Sequence, residues 1–150
     1  MKPEFDEYLK SIGMGKALKT KIETIYKHYE KFACEVLKEE ILDIFVGDYI
    51  QQDNTRAYEE VVFFSDNFMF TSSLFSKEGN LDIYKYKDLN IRHITIEYGD
   101  YDFQKATEKS KLLVRFYLDT HSGGEHKASK ENCDKLYLIY SKYIIPRLKV

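Results

Sequence analysis

The stretch Tyr58–Phe75, YEEVVFFSDNFMFTSSLF, decides the fold. Two runs rich in Val, Phe and Thr, Tyr58–Ser65 and Phe68–Phe75, flank the pair Asp66-Asn67. β-Branched and aromatic side chains fit a pleated, half-buried surface, so both runs are predicted as strands. Two Asx residues between them suit a tight turn, and a hairpin makes its strands antiparallel neighbours.

The same pattern extends outward on both sides. Downstream come the turn SKEGN, the short strand LDIYKY (81–86) and the alternating strand NIRHITIEYG (90–99). The polar connection DYDFQKATEKS and a last strand, KLLVRFYLD (111–119), follow. Upstream, ILDIFVGDYI (41–50) reads as extended and QQDNTRA as a polar turn. No segment between these strands has helical periodicity, so the sheet is an antiparallel meander of about six strands. Helices lie at both ends. Residues 3–12 place Phe5, Tyr8, Leu9 and Ile12 on one face. Residues 16–39 repeat Ile22, Ile25, Tyr26, Tyr29, Phe32, Ala33, Val36 and Leu37 at helical spacing. A third helix is predicted from Ser129 to about Ile145, with Cys133, Leu136, Tyr137, Tyr140, Ser141 and Ile144 along its stripe. The prediction is an α+β fold: a helical segment over 1–40, then an antiparallel sheet over 41–150 closed by the C-terminal helix, as one folded unit.

Composition narrows the function classes. At 43% hydrophobic and 32% charged residues the chain reads as an ordinary globular domain. A formal net charge of −2 argues against a generally basic nucleic-acid or membrane-surface binder. No apolar run approaches the ~20 residues that span a bilayer. The start, MKPEFDEYLK, mixes charges with aromatics, unlike a signal peptide. Cys34 and Cys133 form no spaced metal motif and are expected as free thiols in a reducing cytoplasm. The 13 Tyr and 10 Phe supply many rings that can sit half-buried at an interface.

Ser65-Asp66 at the turn, Phe68 and Phe70 after it, and then Ile83, Tyr84, Tyr86, Asp88, Leu89 and Ile91 form a pattern that resembles the bacterial pleckstrin-homology-like (PH/GRAM-type) family over roughly 41–148. The resemblance implies a bent, partly open barrel with the last helix plugging one end, a scaffold that hosts binding rather than catalysis. Lipid-binding members cluster Lys and Arg around the first hairpin. Here the matching stretch, GDYIQQDNTRAYEE, sets the single Arg56 among Asp48, Asp53, Glu59 and Glu60. That charge repels a phosphoinositide headgroup, so lipid binding is not expected.

Few residues could carry chemistry. In DTHSGGEHKASKENC (119–133), His121 and His126 lie five apart around Gly123-Gly124, which fits neither H-E-x-x-H nor H-x-x-E-H. A loop could still gather His121, His126 and Cys133 around zinc. The plainer reading is a polar strand-to-helix connection, so no metal and no cofactor is expected. Gly13-Met14-Gly15 is similar to a helix-hairpin-helix turn, whose backbone N–H groups face a nucleic-acid phosphate. With Lys16, Lys19 and Lys21 it makes Gly13–Lys21 the candidate nucleic-acid segment; a Gly stop and helix restart is the simpler alternative. The adjacent acids Glu39-Glu40 and Glu59-Glu60 point to different faces and do not converge on a substrate. No nucleophile elbow and no dinucleotide fingerprint is present.

The sequence therefore points to a non-enzymatic interaction or regulatory module that binds a protein partner or self-associates as a homodimer through the long helix. Nucleic-acid contact through Gly13–Lys21 is the second reading. A small-molecule binder or enzyme with a site inside the sheet is the third.

Overall fold

The computed structural model describes residues 1–75, 81–97, 113–118 and 125–147. The predicted connections at 76–80 and 100–110, and the His121 end of the 119–133 stretch, lie outside the described residues. The fold is α+β, and it separates into two compact units: Met1–Val46 with Glu60–Lys85, and Gly47–Glu59 with Tyr86–Val150.

In the first unit, α1 (Pro3–Ser11) begins with a Pro in its first turn and carries Glu4 and Asp6 there, both favourable at a helix N-terminus. It ends as Gly13 turns left-handed (φ 75°) and the Met14 N–H bonds back to the Leu9 carbonyl at 3.1 Å. Helix α2 (Lys16–Phe32) runs on through a wider π turn, Ala33–Leu37, and stops at Lys38, which takes a left-handed conformation. Its buried stripe is Ile22, Ile25, Tyr26, Tyr29 and Ala33. Phe32 and Val36, counted in that stripe from the sequence, are exposed instead.

The Tyr58–Phe75 stretch forms the predicted hairpin. Strands β2 (Arg56–Phe64) and β3 (Phe68–Ser73) pair antiparallel, with Phe63 opposite Phe70 and Phe64 opposite Met69. Asp66 and Asn67 are the two-residue turn, closed by Ser65 N–H to the Phe68 carbonyl at 2.9 Å. Glu39, just past the long helix, holds that turn: one carboxylate oxygen accepts from Ser65 Oγ (2.8 Å) and from the Asn67 N–H (2.9 Å). Strand β1 (Asp43–Ile50) and strand β4 (Leu81–Lys85) complete a four-stranded antiparallel sheet in the order β1-β2-β3-β4. Being a meander with β1 and β4 at its edges, the sheet is open and not a closed barrel. The core of this unit is aromatic. Phe63 packs against Tyr26 (5.4 Å between ring centres), Tyr29 and Phe5, and Tyr29 packs against Phe70 at 5.2 Å. Each such buried ring contributes about 2–3 kcal/mol. The Tyr29 hydroxyl donates to the Thr71 carbonyl, which fastens the helix to the sheet.

The second unit contains a separate sheet, so the predicted single sheet over 41–119 is in fact two. Strands β5 (Ile91–Glu97), β6 (Leu113–Leu118) and β7 (Glu125–Ser129) pair antiparallel in that order. Strand β7 corrects the reading of 119–133 as a plain connection. Its five residues are too few and too polar to show a strand period, and the ladder to β6 organises them, with His126 opposite Phe116 and Ala128 opposite Val114. Helix α3 (Asn132–Ile139) begins three residues later than predicted, after Lys130 in a left-handed turn. It continues as a π turn, Tyr140–Ile144. Cys133, Leu136, Tyr140 and Ile144 of the predicted stripe are buried, Ile139 and Tyr143 join them, and Tyr137 and Ser141 are exposed.

Candidate functional site

The long helix and the segment after it form the candidate surface in the first unit. A groove of about 460 Å³ is lined by the buried Tyr26 and Ile41, by Cys34, and by Lys2, Glu30, Lys38, Glu39 and Glu40. Its charges are mostly engaged. Lys2 Nζ lies 3.0 Å from Glu40, Glu39 serves the hairpin turn, and Glu30 accepts a hydrogen bond from the Tyr26 hydroxyl. Burial, then the Glu30 contact, pushes the Tyr26 pKa up, so the phenol stays a donor. On the same helix Phe32 and Val36, four residues apart and so on one face, are 40% and 59% exposed.

The most concentrated polar cluster is in the second unit, and its role is architectural. Asp48 of β1 is fully buried. Its carboxylate accepts from Arg56 Nε (2.7 Å), the Ser129 N–H (3.0 Å), the Ser129 hydroxyl and Asn132 Nδ2 (2.7 Å). Arg56 also donates to Glu131 at 2.6 Å and to the Ser129 carbonyl at 3.3 Å. Burial works against the Arg56 charge, yet Glu131 and Asp48 outweigh it and raise its pKa. A carboxylate with four donors has little accepting capacity left for a substrate. Asp48 and Arg56, read from the sequence as opposed charges in a loop, are instead paired on adjacent strands whose turn is confined to residues 51–55. Their eight-residue separation carries no signal, because only the strand pairing brings them together.

The predicted site residues are placed as follows. Gly13 and Gly15 sit between α1 and α2, with Gly15 at the α2 N-cap and Lys16 exposed beside it. Lys19 pairs with Asp6 at 3.4 Å, and Lys21 donates to the Leu74 carbonyl at 2.8 Å. Two of the three lysines in that segment therefore have partners within the chain. His126 is buried on β7 with Nδ1 2.7 Å from the Tyr140 hydroxyl, and burial lowers its pKa to about 4. The Cys133 thiol donates to the Ala128 carbonyl at 3.2 Å. His121 lies outside the described residues. Among the described residues no group of three or more His, Cys, Asp or Glu is arranged to hold a metal ion. No described helix is long and apolar enough to cross a membrane.

No family model, curated protein or solved structure matches this chain.

Proposed function

We propose that the chain is a non-enzymatic interaction module that binds a protein partner through the C-terminal part of its long helix. The observation that carries this reading is the exposure of Phe32 and Val36 on one face of a helix whose Ile22, Ile25, Tyr26, Tyr29 and Ala33 are buried. Exposed large apolar side chains at helical spacing are the anchors by which a helix docks on a partner. The groove with Tyr26, Cys34 and Ile41 adds a second contact feature on the same unit. The pleckstrin-homology-like resemblance is consistent with binding rather than catalysis, and it is offered as part of this proposal.

The test is affinity capture with the tagged full chain at low and moderate salt, comparing the wild type with Phe32→Asp/Val36→Asp. The reading requires a stoichiometric protein that survives moderate salt and is lost with the double substitution. Nucleic acid retained at low salt, released steeply as salt rises and indifferent to Phe32 and Val36 would replace it with contact through Gly13–Lys21. A partner that binds both forms equally would move the interface elsewhere and sink the proposal.

A further inference from the structure

We draw no further inference here: the strongest candidate, the groove of the first unit lined by the exposed Cys34 with Lys38, Tyr26 and Ile41, belongs to the site already described, and nothing in the structure shows what fills it.

Discussion

His126 shows how one buried side chain sets a pH limit on the fold. Folding takes its imidazole, whose Nδ1 lies 2.7 Å from the Tyr140 hydroxyl, out of water, and that burial lowers the pKa from 6.5 to about 4. The unfolded chain therefore binds a proton that the folded chain refuses. Stability is complete above pH 6.5 and declines as pH falls toward 4, with a total near 3 kcal/mol. Denaturant titrations between pH 7.5 and 4.5 should show this slope, and His126→Gln should flatten it. Lys38 is a second residue with a local cost. It ends the long helix at φ 58°, ψ 41°, a conformation open to Gly at no steric expense. Lys38→Gly should raise stability by roughly 0.5–1 kcal/mol in urea unfolding, because the strain it relieves exceeds the added freedom of the unfolded chain.

At the scale of elements, the second unit is tied by charge where the first is tied by rings. Asp48 joins β1 to β2 through Arg56, to β7 through Ser129 and to α3 through Asn132. Removing the carboxylate would leave the half-buried Arg56 with one counter-charge fewer and three further donors without this acceptor. Asp48→Ala should cost about 3–5 kcal/mol, measured as a lower denaturation midpoint with an unchanged slope. In the first unit the long helix sits on the sheet through Tyr26 and Tyr29 against Phe63 and Phe70. Glu39, just after that helix, completes the β2–β3 turn. A helix that both packs on a hairpin and supplies its turn contact fixes the hairpin register twice.

For the molecule as a whole, the proposed partner surface and the core should respond differently to substitution. Phe32 and Val36 lie on the exposed side of the helix, so Phe32→Asp/Val36→Asp should change unfolding free energy by less than about 1 kcal/mol. The same double substitution should abolish capture of the partner. Near-native melting together with lost binding would separate recognition from folding; equal loss of both would make these residues part of the core.

The sequence by itself determined the class and most of the elements of this protein. Runs of period two, the Asp66-Asn67 turn and the helical repeat of 16–39 are local signals, and local backbone preference is enough to read them. The structure bears them out with α+β architecture, the β2–β3 hairpin and an open antiparallel sheet. Three things were decided only by tertiary structure. Glu125–Ser129 becomes a strand because β6 offers it a ladder, which no pattern within five polar residues announces. Which side of each helix packs against the rest of its unit is set by the fold, and it leaves Phe32, Val36 and Tyr137 exposed against the simple helical count. Asp48, Arg56, Ser129 and Asn132 converge from as far as 84 positions apart, and convergence over that distance is a property of the folded chain alone.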